Sequence, residues 1–329
     1  MSESIHFGRD LTELARAGNL DPIVGREREL DQVLRVLCRR TKSNPLLLGE
    51  PGVGKTALVE GLAQRIVAGD VPRGLRDRRL FELQLGSLMA GTQFRGDLEK
   101  RVQDFLRRAQ RDRTLVFIDE IHLLVVAGRG SGMDAANLLK PILARGEVPC
   151  IGATTPTEAA EMFRVDPAME RRFQPVLLEE PDAEAVRIML CAARPRLEAH
   201  HGFKISDDAI QTAVVLSLQQ NGGRKNPDRA LDILEDACAA EQLSVSRRGE
   251  NTPTPTPEII ALQAELKAAL ECLDLARHVR ARDALETVQR DSWISEERNR
   301  TAVACVGDAQ VRAAVRNCMG GVPQQVQAI

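Results

Sequence analysis

The chain has 329 residues, enough for two or three compact units, and its 43% hydrophobic content is enough to build their cores. The formal net charge of −2 and the isoelectric point of about 6.3 exclude the overall basic excess that is typical of nucleic-acid-binding and membrane-surface domains. The seven cysteines show neither a CxxC pair nor a His/Cys metal-ligand spacing, and the polar amino terminus lacks a signal sequence. These features favour a cytoplasmic protein with reduced thiols.

Short apolar runs alternate with helical patterns between about residue 20 and residue 176. This alternation is typical of βαβ units. It predicts an α/β fold, a three-layer αβα sandwich in which helices cover both faces of a parallel sheet. The strand-length runs are 45–49, 80–85, 114–119, 149–155 and 174–178, and the helical patterns are 54–69, 94–110 and 134–146.

Beyond Asp182 the strand signals disappear, which indicates a smaller helical domain. The predicted helices, each with Asp or Ser available as an N-cap, are 182–202, 206–220 and 226–245. Residues 247–258, in which Pro alternates with Thr, predict an extended linker. Heptad-spaced apolar residues predict helix in 259–300, either as a hairpin or as one longer helix, and a last helix is expected in 308–323.

Residues 49–56 match the pattern G-x-x-x-x-G-K-[ST] between a strand pattern and a helical pattern. The glycines allow successive backbone N–H groups to face phosphate oxygens, and the helix N-terminus adds the positive end of its dipole. We expect Lys55 to reach the β- and γ-phosphates and Thr56 to offer its hydroxyl to Mg²⁺. The strand–loop–helix context disfavours the alternative of a chance glycine-rich turn. The predicted nucleotide-binding residues are Gly49, Glu50, Pro51, Gly52, Val53, Gly54, Lys55 and Thr56.

Residues 115–120, Leu-Val-Phe-Ile-Asp-Glu, combine four apolar residues with two carboxylates. Four apolar residues are typical of a buried central strand, and α/β sheets bind ligands at the carboxyl ends of such strands. We therefore expect Asp119 to bind Mg²⁺ directly or through water, and Glu120 to orient and partly deprotonate the attacking water. Together with the phosphate loop, this pair predicts a nucleoside-triphosphate hydrolase.

A series of stretches around these motifs follows one family's order: LDPIVGRERELDQVLRVLCRR (20–40), GSLMAGTQFRGDLEKR (86–101), FIDEIH (117–122), MDAANLLKPILARGE (133–147), IGATT (151–155), DPAMERRFQPV (166–176) and LEAHHG (197–202). Over roughly residues 7 to 245, and again at 308–323, the sequence resembles the first ATPase module of the Clp-type AAA+ unfoldases, which include ClpA, ClpB and ClpC. The resemblance implies an AAA+ P-loop domain with a helical lid, ATP-driven protein remodelling and assembly into hexamers.

The resemblance also assigns roles to single residues. Thr155 would be the sensor whose hydroxyl bonds near the γ-phosphate or the attacking water, the alternative being an ordinary threonine at a strand end. Arg171 and Arg172 would be arginine fingers for the neighbouring subunit, because a planar guanidinium neutralises the charge of the transition state. Without the resemblance they would be read as solvated surface arginines. The residues expected against adenine, which makes ATP the expected nucleotide, are Ile23, Val24 and Gly25.

The polar loop 90–97 contains Phe94 between glycines, and the family's equivalent loop projects into the central pore. There an aromatic residue grips extended polypeptide. The family usually has Tyr at this position, but apolar contact with a substrate chain does not need the hydroxyl. A core role for Phe94 is the alternative, which its polar neighbours disfavour. Residues 128–134 are a weaker candidate for a second pore loop.

The sequence departs from the family in three respects. The N-terminal substrate-binding domain and the second ATPase module have no counterpart in these residues, which leaves open a natural single-module protein or a fragment. The family's protease-docking loops belong to the second module, so the resemblance implies no direct protease docking for this chain alone. In the lid, the family's LPDKA is NPDRA at 226–230, which puts lid contacts to nucleotide or neighbour in question.

The leading interpretation is a module that threads polypeptide substrates through a homo-hexamer or through a mixed ring with a Clp-type partner. A truncated regulator that co-assembles with or inhibits a full-length partner is the second interpretation. A DNA-acting AAA+ protein is the third, disfavoured by the acidic isoelectric point and the Phe94 loop, and neither nucleic acid nor membrane is expected as a partner. The expected boundaries are 1–180 for the nucleotide-binding domain, 181–246 for the lid, 247–304 for the linker and a middle-domain-like helical segment, and 305–329 for a C-terminal helix and inter-module linker.

Overall fold

The computed structural model describes residues 7–89, 95–123, 148–220, 223–250 and 305–320, together with isolated helical positions between 261 and 288. The chain divides into two compact units, Met1–Pro195 with Val214–Asp232 and Arg196–Ala213 with Ile233–Ile329. Within the described ranges, no helix is both long enough and apolar enough to cross a membrane.

The first unit contains a six-stranded sheet, whose strands are β1 (Gly8–Asp10), β2 (Asn44–Leu48), β3 (Leu80–Leu83), β4 (Leu115–Ile118), β5 (Cys150–Thr154) and β6 (Phe173–Leu177). The strand order is β1-β3-β4-β5-β2-β6, and neighbouring strands are parallel except for the antiparallel pair of β1 and β3. The five strands predicted from apolar runs are confirmed. The edge strand β1 escapes that prediction because its three residues, Gly-Arg-Asp, contain no apolar side chain.

The helices in chain order are α1 (Leu11–Arg16), α2 (Glu27–Leu37), α3 (Lys55–Ala68), α4 (Leu85–Met89), α5 (Arg95–Arg111), α6 (Pro156–Val165), α7 (Pro167–Glu170), α8 (Ala183–His201), α9 (Asp207–Gln219), α10 (Asp228–Glu250) and α11 (Asp308–Gly320). They confirm the predicted helical segments, apart from 134–146 and 259–300. The first of these lies outside the described residues, and only isolated positions of the second are described. A 3₁₀ turn, Arg73–Leu75, precedes β3.

Two cores form because successive side chains of a strand point to opposite faces of the sheet. In β2, Leu46 belongs to one core and Leu47 to the other, and in β4, Val116 and Phe117 divide in the same way. Helices α2 and α3 contribute to the core that contains Leu47, whereas α5 and α6 contribute to the core that contains Leu46. The predicted three-layer αβα arrangement is therefore confirmed.

The second unit contains a short parallel pair of strands, β7 (Lys204–Ile205) and β8 (Cys305–Val306). The expectation that strands are absent beyond Asp182 is therefore wrong, because two-residue strands are too short to produce an alternating pattern. The predicted linker also begins too early, since α10 continues to Glu250 and no proline interrupts it before Pro253. The choice between a hairpin and one helix in 259–300 lies outside the described residues.

Candidate nucleotide-binding site

The phosphate loop, residues 49–54, connects β2 to α3 at the carboxyl edge of the sheet. Gly52 and Gly54 have φ angles of 89° and 93°, a left-handed region that glycine adopts without steric cost. Gly49 has no room for a side chain, because a Cβ there would lie 2.7 Å from Val53 Cγ2 and 2.8 Å from the Leu178 carbonyl oxygen. The motif glycines are thus required by the path of the backbone itself.

Lys55, the first residue of α3, folds back over the phosphate loop. Its Nζ donates to the carbonyl oxygen of Gly49 at 2.7 Å and to that of Glu50 at 3.2 Å. Burial lowers the pKa of Lys55, and the nearby carboxylates of Asp119 and Glu158 act in the opposite direction. An ammonium group over a glycine-rich loop and a helix N-terminus forms a site suited to an anionic ligand.

The end of β4 brings two carboxylates beside the loop. Thr56 Oγ1 donates to Asp119 Oδ2 at 3.1 Å, and the backbone N–H of Glu120 donates to Asp119 Oδ1 at 2.9 Å. Glu120 has a φ of 50°, a conformation that costs a non-glycine residue about 1–3 kcal/mol and is common at functional sites. The hydroxyl of Thr56 and the carboxylate of Asp119 are hard oxygen donors, and this donor set fits Mg²⁺, which takes few protein ligands when a nucleotide supplies the others.

The end of β5 carries a small polar network beside these carboxylates. Thr155 caps α6: its Oγ1 accepts from Glu158 N at 3.3 Å, and its own N–H donates to Glu158 Oε2 at 3.0 Å. Thr154 Oγ1 donates to Glu158 Oε2 at 2.8 Å and lies 3.0 Å from His122 Nδ1. Although burial alone would raise the pKa of Glu158, these hydrogen bonds and His122 hold that pKa below its usual range.

Sequence reasoning missed three members of this network, namely His122, Thr154 and Glu158. The Thr-x-x-Glu spacing of a capping box could have identified Glu158, since Glu158 follows Thr155 by three positions. No comparable local pattern indicates His122, whose partners lie on a different strand.

A pocket of about 430 Å³ opens above the phosphate loop, a volume typical of small-molecule sites. Its walls come from the loop and the first turn of α3, the end of β4, the end of β5 with α6, and residues 227–231. No group of three or more potential His, Cys, Asp or Glu metal ligands occurs among the described residues. The lining includes Lys55, Thr56, Asp119, Glu120, Thr155 and Pro227.

Residues 225–228, here called the strap, pack against the phosphate loop, and two of them, Pro227 and Asp228, also line the pocket. Lys225 N donates to the Pro51 carbonyl oxygen at 2.8 Å, and Asp228 N donates to that of Gly52 at 3.3 Å. The fit is close, because a Cβ on Gly52 would lie 2.7 Å from the Lys225 carbonyl oxygen. The strap therefore joins the loop through main-chain groups, which side-chain motifs do not reveal.

Glu180 anchors the strap from the segment that follows β6. Its Oε1 accepts from Asn226 N at 3.0 Å, and its Oε2 lies 3.1 Å from Lys225 Nζ. Burial alone would raise the pKa of Glu180, but these partners hold it below its usual range. The Asn226 side chain is fully buried, and neither its Nδ2 nor its Oδ1 has a partner among the described residues.

Arg26 holds the other side of the loop. Its buried guanidinium donates to the Val53 carbonyl oxygen at 3.0 Å, to the Glu179 carbonyl oxygen at 2.9 Å and to Glu29 Oε1 at 2.7 Å. Sequence analysis assigned no role to Arg26 or Glu180. No local pattern could have revealed them, since 153 positions separate Arg26 from Glu179.

Other residues singled out from the sequence lie away from the pocket lining. Gly25 has a φ of 75° near Met189 of α8, and Ile23 packs on Gly61 of α3, so residues 23–25 flank both helices. Arg171 and Arg172 are exposed after α7 and do not line the pocket. Phe94 and residues 128–134 lie outside the described residues.

Comparisons with known proteins cover most of this chain. Residues 45–180 match the model of the ATPase family associated with various cellular activities (AAA), and residues 182–286 match that of the AAA lid domain. The chaperone protein ClpB of Nitratidesulfovibrio vulgaris is 46% identical over 288 residues, which make up 87% of this chain and 33% of that protein. The chain thus spans about a third of the length of the curated relatives it matches.

Two solved structures of Hsp104 from S. cerevisiae are similar to this chain. The Hsp104–ADP complex aligns with a TM-score of 0.75 and 39% identity, over 89% of this chain and 42% of that chain. The Hsp104:casein complex in its extended conformation aligns with a TM-score of 0.67 and 38% identity, over 83% of this chain and 52% of that chain.

Proposed function

Because the chain is an AAA-family ATPase domain followed by an AAA lid domain, like a first module of ClpB and Hsp104, we propose that it hydrolyses ATP with Mg²⁺ and couples hydrolysis to the remodelling of polypeptides. The resemblance to that module, expected from the sequence, is confirmed. The observation that carries the proposed chemistry is the convergence of Thr56, Asp119 and Glu120 beside the phosphate loop.

In this proposal, each group of the pocket has one task. The N–H groups of the loop and of the first turn of α3 bind phosphate oxygens, and Lys55 neutralises charge on the β- and γ-phosphates. Thr56 and Asp119 would hold Mg²⁺, which supplies further charge neutralisation when bound. Glu120 accepts a proton from the attacking water, and Thr155 senses the γ-phosphate from the end of β5.

Arg171 and Arg172 would complete the site of a neighbouring subunit. Neither guanidinium makes a hydrogen bond or ion pair with any described residue, and both are exposed. No arginine lines the pocket within the described part of the chain. Since the transition state benefits from a guanidinium, its source would be a second copy of this chain or a Clp-type partner in a ring of six.

The ring would act on extended polypeptide. The Hsp104:casein complex is a structure of a related protein with a polypeptide, and this supports a polypeptide substrate for the present chain. Phe94 would grip that substrate in the central pore through apolar contact. ATP bound between subunits would order the ring, and hydrolysis would move the Phe94 loops along the pore.

The experiment that tests the proposal is light scattering on the Glu120→Gln variant, with and without ATP and Mg²⁺. We expect retained ATP binding, lost turnover and an ATP-dependent shift from the 36.2 kDa chain to a mass of about six subunits. Lys55→Ala is the control, because it should bind no nucleotide and show no shift. Wild-type turnover by Glu120→Gln would overturn the role of Glu120. A monomer that binds ATP would overturn the homo-hexamer.

A further inference from the structure

The phosphate loop is held from its outer side by groups that belong to no nucleotide-binding motif. The carbonyl oxygens of Pro51 and Gly52 accept from the strap, and that of Val53 accepts from Arg26. These three consecutive carbonyls are called the outer carbonyls. A trans peptide unit points the C=O of one residue and the N–H of the next in opposite directions. Fixing the outer carbonyls therefore turns the N–H groups of residues 52–54 to the inner side of the loop.

The inner side is the one on which phosphate oxygens would bind. Among the described residues, the one acceptor for these three N–H groups is the Glu50 carbonyl oxygen, 3.4 Å from Val53 N. The N–H groups are thus available to a ligand, and their direction is set before a ligand arrives. Affinity gained in this way comes from preorganisation, because the loop need not be reordered on binding.

We propose that Arg26 and Glu180 are positioning residues for nucleotide binding, which act on the phosphate-loop N–H groups through the outer carbonyls. This inference rests on the proposed function, because it concerns the same nucleotide site. Arg26 acts directly on Val53, and Glu180 acts by anchoring the strap that bonds to Pro51 and Gly52.

Arg26 and Glu180 act together, because both connect the phosphate loop to the segment that follows β6. Arg26 bonds to the main chain of Glu179, and the next residue, Glu180, binds the strap. The guanidinium fork of Arg26 satisfies two carbonyl oxygens and a carboxylate at once, which the single ammonium of a lysine cannot do in the same geometry. Loss of either residue would leave one side of the loop without its restraint.

The test compares Arg26→Lys and Glu180→Gln with matched controls. Arg28→Lys is the control for the arginine, since the Arg28 side chain is exposed and makes no hydrogen bond or ion pair with a described residue. Glu179→Gln is the control for the glutamate: its side chain is exposed and makes no hydrogen bond or ion pair with a described residue, and the substitution leaves its main-chain carbonyl in place. The Glu180 variant is informative even where Arg26→Lys folds poorly, because Glu180 is at the surface.

The measurements are the Kd of a fluorescent ADP analogue, and KM and kcat for ATP. We expect both test variants to raise Kd and KM about tenfold, as loss of a charge-assisted hydrogen bond does, and to change kcat less than about twofold. The split arises because bound phosphate itself orders the N–H groups once the site is filled, and neither Arg26 nor Glu180 bonds to Glu120. Both controls should behave as the wild type.

Three results would overturn the inference. An unchanged Kd together with a lower melting temperature would make Arg26 and Glu180 structural residues only, and a lower kcat at unchanged KM would move their role to the chemical step. Equal effects in test and control variants would show that the contacts are not specific. Failure of the wild type to bind ADP would instead overturn the proposed function, so the two failures are distinguishable.

Discussion

Gly61, in the middle of α3, allows Ile23 to pack directly against the helix. A Cβ at Gly61 would lie 2.2 Å from Ile23 Cγ2 and 3.0 Å from Ile23 Cβ, closer than carbon atoms pack. Gly86 in α4 provides the matched case, because it is also helical and no atom of a described residue lies within 4 Å of a Cβ built there. Alanine at Gly86 therefore reports the effect of helix propensity on stability, whereas alanine at Gly61 reports that effect together with the clash of the added methyl group.

The two substitutions should change stability in opposite directions. Replacing glycine by alanine in a helix stabilises by up to about 1 kcal/mol, and at Gly86 no clash with a described residue opposes this gain. At Gly61 the gain is opposed by an overpacking cost of about 1–3 kcal/mol. A side-chain rotation of Ile23 does not remove the clash, because its Cβ is involved as well as its Cγ2. We expect Gly61→Ala to destabilise the fold by up to about 2 kcal/mol.

The assay is urea unfolding followed by far-ultraviolet circular dichroism on the wild type, Gly61→Ala and Gly86→Ala. The expected order of midpoints is Gly86→Ala above the wild type and Gly61→Ala below it. Because residues 23–25 are expected against adenine, Gly61→Ala should also weaken ADP binding, whereas Gly86→Ala should not. A midpoint for Gly61→Ala at or above that of Gly86→Ala would refute the packing of Ile23 on α3.

Three further predictions concern other parts of the chain. Asn226→Leu should raise the free energy of unfolding by about 1–3 kcal/mol in urea, because it removes a buried amide without partners among the described residues; a lower midpoint would contradict this. A mixture of Lys55→Ala chains with Arg171→Ala/Arg172→Ala chains should hydrolyse ATP although each alone does not, and an inactive mixture would contradict fingers supplied between subunits. Partial burial alone would raise the pKa of Asp10, but hydrogen bonds from Thr12, Glu13 N and Arg79 outweigh this effect and lower the pKa in the folded state. The stability that this carboxylate contributes is present above about pH 4 and lost below it, so the melting-temperature difference from Asp10→Asn should shrink as the pH falls; an equal difference at pH 7 and pH 3 would argue against it.

The sheet and the phosphate loop could be predicted because their causes are local. The strands lie in short, mainly apolar runs, and the loop's glycines, Lys55 and Thr56 all fall within eight consecutive residues, 49–56. The placement of Asp119 also followed from a local rule, since the carboxyl end of a buried strand faces the ligand side of the sheet. The structure adds the hydrogen bond from Thr56 Oγ1 to Asp119 Oδ2, which joins residues 63 positions apart in the sequence.

The parts that escaped prediction are short or depend on distant contacts. Strand β1 has three residues, β7 and β8 have two each, and such lengths carry no periodic pattern. His122 meets Thr154 across 32 positions, and this contact exists only after β4 and β5 have paired. Main-chain bonds from the strap leave no trace in side-chain chemistry, because every residue except proline offers an N–H.

The replacement of the family's Leu by Asn226 shows why main chain and side chain must be considered separately. The bonds from the strap to the loop use the N–H groups of Lys225 and Asp228, and the bond to Glu180 uses the N–H of Asn226. None of these donors depends on the side chain at position 226. Asn226 in place of Leu therefore lowers the stability of the fold, because it buries an amide without partners among the described residues, but it leaves the phosphate-loop contacts intact. Control of the loop then lies with Arg26 and Glu180, whose side chains do make the connecting bonds.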